Sequence, residues 1–256
     1  IPALLSAVGN DPAGQELLAD CRRRGLITDH IYLSEDLPTD IYMAVEGANG
    51  LIAAIADAHS LEEAGDKILR PLTDGTLGSA GAPYGGFIAL DGNLTEALLA
   101  QIAVDPVFQQ ADLRVAPASP GKATRLLPLV EAGNATLYVN LEEAGLLCQT
   151  EFPDAASAAD GMVTRGAKRA LVTDGGSASA DGSAEGIITR QPPEVLVTRV
   201  TGAGDSFMAA HIVAEAREVR AGKAVVGCRC KGAQIEGVDD IADAIMRDVL
   251  FRQVAA

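Results

Sequence analysis

Positive charge is scarce in this 256-residue chain: 20 Lys and Arg stand against 35 Asp and Glu, a formal net charge of −15 at pH 7. A nucleic-acid backbone or an anionic membrane needs a basic face, so neither is expected as the main partner. A small anion held by backbone amides in a local pocket remains allowed. Cysteine is sparse as well, and Cys21, Cys148, Cys228 and Cys230 contain no C-x-x-C pair. His30, His59 and His211 are scattered, so no zinc site is expected, and the Cys228-x-Cys230 pair reads as chance or packing rather than redox chemistry. No apolar run reaches the roughly 18 residues of a membrane span. Residues 1–9 lack a basic n-region and a cleavage site. The expectation is a reduced, cytoplasmic protein. What is present suffices for a core: 48% hydrophobic against 21% charged residues is a globular balance, and the length fits one large domain.

Short β-rich runs alternate with amphipathic helical stretches, the pattern of an α/β layer architecture. The expected order is a strand over 4–8, a helix over 13–24 stopped by Gly25, and a strand over 31–33. Runs 39–46 and 51–56 flank Gly47-Ala48-Asn49-Gly50, a hairpin signal. Such a flap serves either as a lid over a site or as a plain edge hairpin. Residues 71–86 read as a loop. Strands are expected at 87–90, 113–116, 135–139, 170–173 and 195–200, with helices at 94–104, 121–132, 141–147, 155–166, 203–219 and 238–249. The sum is a mostly parallel sheet with helices on both faces, plus the hairpin.

The sharpest chemical signal is the stretch Val197 to Ala210, in which a strand runs into Thr201-Gly202-Ala203-Gly204-Asp205 and a helix begins. Small residues there let the backbone turn tightly and aim N–H groups outward at a helix N-terminus, an arrangement suited to phosphoryl charge. Asp205 can accept a proton from a hydroxyl nucleophile. It can also be an ordinary first-turn acid favoured by the helix dipole.

The GAGD stretch resembles the second signature of the PfkB (ribokinase-like) family of carbohydrate and nucleoside kinases. Val8-Gly9-Asn10-Asp11-Pro12-Ala13-Gly14 looks like its G-x-D-x-x-G segment, Asn140-Leu141-Glu142-Glu143 like its N-x-x-E motif and Thr173-Asp174-Gly175 like its T-x-G turn. The hairpin at 39–56 sits where the family places its lid. Within the family the likeness is closest to the pseudouridine kinases. It rests on Thr39–Val45 with Ala53–Asp57, on Leu90-Asp91-Gly92-Asn93-Leu94, and on Pro117–Ala123 followed by Arg125-Leu126-Leu127-Pro128.

The resemblance implies a ribokinase-like α/β fold over one domain, 1–256, and transfer of the ATP γ-phosphoryl group to the 5′-hydroxyl of pseudouridine. The alternatives are another acceptor (ribose, a ketose phosphate, adenosine) or a non-catalytic ligand-binding protein on the same scaffold. Asp205 would be the catalytic base, and Gly202, Ala203 and Gly204 the anion hole. Thr173, Gly175 and Thr201 would line the nucleotide pocket. Asn140 and Glu143 would organise Mg²⁺ through waters, unless Glu143 is an ordinary exposed helix acid. Lys122 is either a substrate-side or a solvated residue. The family's opening Gly-Gly-x-x-x-Asn stretch has no counterpart, so sugar-binding residues stay unassigned, and Asp11 is expected at a turn near the lid hinge. Ala116 replaces the aspartate expected before Pro117. Arg199 stands where relatives usually carry an aspartate associated with a monovalent cation, which argues against a potassium requirement. The tail around 217–237 does not follow the family and receives no base contacts. The unpaired hairpin edge points to a homodimer through the lid.

Overall fold

The computed structural model describes residues 1–47, 50–192 and 202–220. The strand expected at 195–200, the helix at 238–249, Cys228, Cys230 and the rest of the chain beyond 220 lie outside the described residues.

A six-stranded sheet carries the fold, in the order β10 (Gly186–Arg190), β9 (Ser179–Ser183), β8 (Arg169–Thr173), β7 (Ala135–Asn140), β6 (Asp112–Ala116), β5 (Phe87–Asp91). Strands β5 to β8 are parallel, β9 pairs antiparallel with β8, and β10 antiparallel with β9. The first three parallel strands feed helices: α3 (Glu96–Val104) follows β5, a 3₁₀ segment (Pro120–Leu126) and α4 (Leu127–Ala132) follow β6, and α5 (Leu141–Cys148) and α6 (Ala155–Arg165) follow β7. The period-2 alternation of the strands decides which face they bury. Leu113, Val115, Leu137, Val139, Ala170 and Val172 all point into one core, where they meet Leu99, Ile102, Leu129, Leu147 and Met162 from the helices. The opposite face carries α7 (Ala203–Arg220), with Tyr138, Leu171 and Met208 as a smaller buried cluster.

Two smaller pieces flank this body. Strands β1 (Ala7–Gly9) and β2 (Tyr32–Ser34) form a parallel pair joined by α1 (Pro12–Arg23). Strands β3 (Tyr42–Gly47) and β4 (Gly50–Ala56) form the expected hairpin, with a register shift between Val45 and Glu46. Ile41, Met43, Val45, Ile52 and Ile55 are all exposed on it.

The sequence reading needs four corrections. The first strand starts three residues later than expected, at Ala7. The stretch after the hairpin, unassigned from sequence, folds as α2 (His59–Ala64) and a 3₁₀ segment (Gly65–Leu72) that buries Ile68, Leu69 and Leu72. Residues 120–126 are 3₁₀ rather than the start of an α-helix. The hairpin β9–β10 was not anticipated, because the Ser, Ala, Asp and Gly residues of β9 are poor strand formers.

Asp11 ties the lid to the body. Its Oδ1 accepts from the Gly14 amide (2.7 Å) as the N-cap of α1 and from the Thr39 hydroxyl (2.7 Å). Its Oδ2 accepts from the Thr39 amide (2.7 Å). Asp11 lies in the expected turn, which is hydrogen-bonded to the foot of the hairpin. At the other foot, Asp40 accepts from the amides of Ser60 (2.9 Å) and Leu61 (3.2 Å). The bonds from Gly14 and then Thr39 hold the Asp11 carboxyl below its ordinary value of 3.8. A depressed folded-state value stabilises above the unfolded value and loses that contribution as pH falls through the folded one. Asp11→Ala is therefore expected to lower stability at neutral pH, with the gap to the parent narrowing below pH 3.8. Denaturant melts of both proteins across acid pH check this.

Candidate active site

The carboxyl ends of parallel strands are where open α/β sheets place their ligands, and two of the sequence motifs meet there. Asn140 at the end of β7 lies in register with Thr173 at the end of β8. Asn140 caps α5: its side-chain oxygen accepts from the Glu143 amide (2.8 Å), and Glu143 Oε2 accepts from the Asn140 amide (2.9 Å). This reciprocal capping box makes Glu143 a buried residue at 8% exposure, so the reading as an exposed helix acid fails. Its Oε1 makes no hydrogen bond among the described residues. Burial, with the charges of Glu142 and Asp205 added, raises the Glu143 carboxyl above its ordinary value of 4.5.

Beyond Thr173 the chain turns at Gly175, where φ is +53°, a conformation glycine adopts without strain. An open cleft of about 930 Å³ lies between this turn and α5, lined by Asn140, Glu142, Leu146, Phe152, Thr173 and Gly175 among others.

The third element is the N-terminus of α7. Gly202 turns into the helix with φ +84°, and the Ser206 amide makes a hydrogen bond to the Gly202 carbonyl (3.0 Å). The amides of Ala203, Gly204 and Asp205 precede that rung and have no intrahelical acceptor. Ala203, Gly204 and Asp205 are exposed, and a Cβ at Gly204 would meet nothing within 4 Å. The Asp205 charge reaches Glu143. Asn140 stands at one edge of the sheet with Thr173 and Gly175, which line the same cleft, while Gly202, Ala203, Gly204 and Asp205 form the first turn of α7. Thr201 and Arg199 lie outside the described residues.

A second group joins segments that are distant in sequence. Lys122 Nζ donates to Asn93 Oδ1, while Asn93 Nδ2 donates to Asp91 (3.0 Å). Lys122 is therefore engaged rather than simply solvated. Arg125 pairs with Glu62 of α2 (2.8 Å) and reaches the carbonyls of Gly92, Asn93 and Leu94 at 3.3 to 3.4 Å. A Cβ at Gly92 would lie 2.2 Å from the Pro117 carbonyl oxygen, so only glycine fits that contact. Arg125 was not singled out from sequence, although it lies within the run that carries the resemblance.

Among the described residues, no three His, Cys, Asp or Glu side chains stand close enough to hold a metal ion directly. A free carboxylate oxygen on Glu143 is a hard donor, suited to Mg²⁺ bound mainly through water and phosphate. Among the same residues, no helix is long and apolar enough to cross a membrane.

Comparison with known proteins decides the family. The model for pfkB family carbohydrate kinases matches residues 2–228. The chain belongs to that family. Solved structures share its fold. A carbohydrate kinase from Agrobacterium tumefaciens superposes with TM-score 0.68 at 21% identity, over 98% of this chain and 80% of the other. Ribokinase from Thermotoga maritima does so with TM-score 0.65 at 16% identity, over 97% and 73%. Adenosine kinase from Trypanosoma brucei brucei gives TM-score 0.68 at 12% identity, over 97% and 74%. Among curated proteins, none matches. The family is one of phosphotransferases acting on alcohols, and the fold is ribokinase-like.

The raised value of Glu143 has a consequence for stability. A carboxyl raised on folding contributes stability that is present below its unfolded value and is lost as pH rises through the folded one. Glu143→Gln keeps a cap oxygen and removes the buried charge. Without added metal the variant is expected to be at least as stable as the parent at pH 7, with the advantage gone below pH 4.5. Urea titrations at the two pH values test it.

Proposed function

We propose that this chain transfers the γ-phosphoryl group of ATP to the 5′-hydroxyl of pseudouridine, giving pseudouridine 5′-phosphate and ADP. The observation that carries the phosphoryl-transfer reading is an unpaired helix N-terminus bearing an exposed Asp205, whose charge reaches the Glu143 of the capping box that opens α5. Asp205 accepts the proton of the acceptor hydroxyl as its oxygen attacks the γ-phosphorus. The amides of Ala203, Gly204 and Asp205 face the charge that gathers on the phosphoryl oxygens. The bond to the bridging oxygen breaks, and ADP leaves. Thr173 and Gly175 line the cleft that would receive the nucleotide. Glu143, with Asn140, would hold the waters of Mg²⁺, whose charge neutralises the phosphates when it is bound.

Pseudouridine as acceptor is supported by the second group. Two of the segments that carry the likeness, 90–94 and 117–128, are bound to each other through Lys122, Arg125 and Gly92. Arg125 also bonds α2, at the root of the lid. The exposed apolar hairpin would close over the acceptor, and its face of Ile41, Met43, Val45 and Ile55 is where a second copy of the chain would dock. The free thiols of Cys21 and Cys148 fit a reducing, cytoplasmic setting.

A mass-spectrometric assay with ATP, Mg²⁺ and a panel of pseudouridine, uridine, adenosine, ribose and fructose 6-phosphate tests the proposal. A phosphorylated pseudouridine product is expected. Another product keeps the chemistry and removes the acceptor, and no product from the folded protein favours a binding role. Asp205→Asn is expected to lower kcat by at least about 10²-fold, the scale of losing a general base. Near-parental turnover removes Asp205 from that role. Sedimentation of the parent and of Ile55→Lys tests the dimer, which the charge is expected to dissociate.

A further inference from the structure

The face of the sheet under α7 carries a chain of charged side chains that the phosphoryl-transfer site does not use. On the strands, alternation opposite the buried Leu and Val residues puts Asp112 and Arg114 of β6, Tyr138 of β7, Arg169 of β8 and Asp181 of β9 toward α7. Arg114 pairs side-on with Asp112, Nε to Oδ1 at 2.8 Å and Nη2 to Oδ2 at 2.6 Å. Arg169 does the same with Asp181, at 2.8 and 2.6 Å. Each arginine therefore has a carboxylate of its own on the sheet.

Glu215 of α7 is a further anion, 7% exposed. One of its oxygens accepts from Arg114 Nη1 (2.5 Å), the other from Arg169 Nη1 (2.6 Å). Because both cations are already paired, Glu215 is not required to neutralise them. What it adds is a fixed bridge between the helix and two strands separated by β7, with bidentate geometry that tolerates little rotation. One turn earlier, the His211 ring stands 2.8 Å from the Tyr138 hydroxyl. Burial holds that imidazole below its ordinary value. The apolar contact under α7 is small, with Met208, Phe207 and Ile212 lying against Tyr138, Leu171 and Ala116. The polar stripe 211–215 therefore sets the roll and axial position of the helix. Asp205 lies ten residues from Glu215 along the same helix, about 15 Å at 1.5 Å per residue.

We propose that Glu215 is a positioning residue for phosphoryl transfer: held between Arg114 and Arg169, it fixes the placement of Asp205 and the open amides at the other end of α7. This rests on the kinase reading given above. Misplacement of a catalytic group by an ångström is costly in rate. Glu215→Gln, which keeps the shape and removes the charge, is expected to lower kcat about tenfold or more, with KM for both substrates within about twofold of the parent.

Distant, independent sites have additive effects, so the decisive measurement is a double-mutant cycle. Adding Glu215→Gln to Asp205→Asn is expected to cost less than Glu215→Gln costs in the parent, because only the amides are left to misplace, and fully additive losses overturn the proposal. Arg169→Lys, which keeps a cation beside Asp181 without the fork that spans to Glu215, is expected to show the same coupling if Glu215→Gln folds poorly. A hydrogen-exchange measurement separates the two failures. If the parent phosphorylates nothing on the panel, the kinase reading falls, and exchange at the Ser206 amide decides the positioning claim. Faster exchange there in Glu215→Gln, with β7 unchanged, supports it, and unchanged exchange overturns it.

Discussion

The parallel pairing of β7 with β8 is the constraint on which the site depends. Its register sets Asn140 level with Thr173, so the end of one strand starts a capped helix exactly where the end of its neighbour starts a turn. Two orphan sets of backbone groups are thereby brought to one edge, and each is solved locally. Asn140 and Glu143 satisfy each other at the mouth of α5, while Gly175 takes the left-handed turn beyond β8. A slip of one residue in that pairing would exchange the two faces of β8, burying Arg169 and Thr173 in the apolar core and turning Val172 toward α7.

Much of this was legible in the residues. Strands β5 to β8 announce themselves as short apolar runs between helical periodicities, and α1, α3 and α6 open on Asp11, Thr95 and Asp154, side chains that cap them. The hairpin was marked by its glycine-flanked turn. What could not be read was set by tertiary contact. Residues 57–72 carry Gly65 and Pro71 and lack a sustained helical period, yet Ile68, Leu69 and Leu72 are buried because the core beneath them is apolar. Strand β9 is held by its pairing to β8 and β10, against the propensity of its own residues.

The candidate site divides in the same way. The N-x-x-E and T-x-G motifs end neighbouring strands and line one cleft, while the GAGD motif opens α7. The burial of Glu143 was not visible from a motif that equally fits an exposed first-turn acid. Arg114 and Arg169 were missed because charges on a strand are ordinarily solvated, and Glu215 because an acid on a long helix usually faces water. The signal that could have found them is the alternation itself: in Asp112-Leu113-Arg114-Val115 and Arg169-Ala170-Leu171-Val172 each arginine stands opposite a core residue, on the face that α7 must cover. Buried ion pairs are weak contributors to net stability, and their usual return is a defined geometry.

The two feet of the hairpin are held by different aspartates: Asp11 bonds Thr39 to the start of α1, and Asp40 bonds the start of α2. Neither foot can slide without breaking short hydrogen bonds, whereas the strands beyond them are exposed on both faces. The hairpin is thus a cantilever clamped at its base. With seven residues in β4 and a rise of about 3.3 Å per residue its arm is about 23 Å long. A tilt of about 10° at the clamp sweeps the far end through about 4 Å, more than the diameter of a water molecule. Small torsional changes around Ile41 and Asp57 are therefore enough to move the hairpin tip by more than a water molecule.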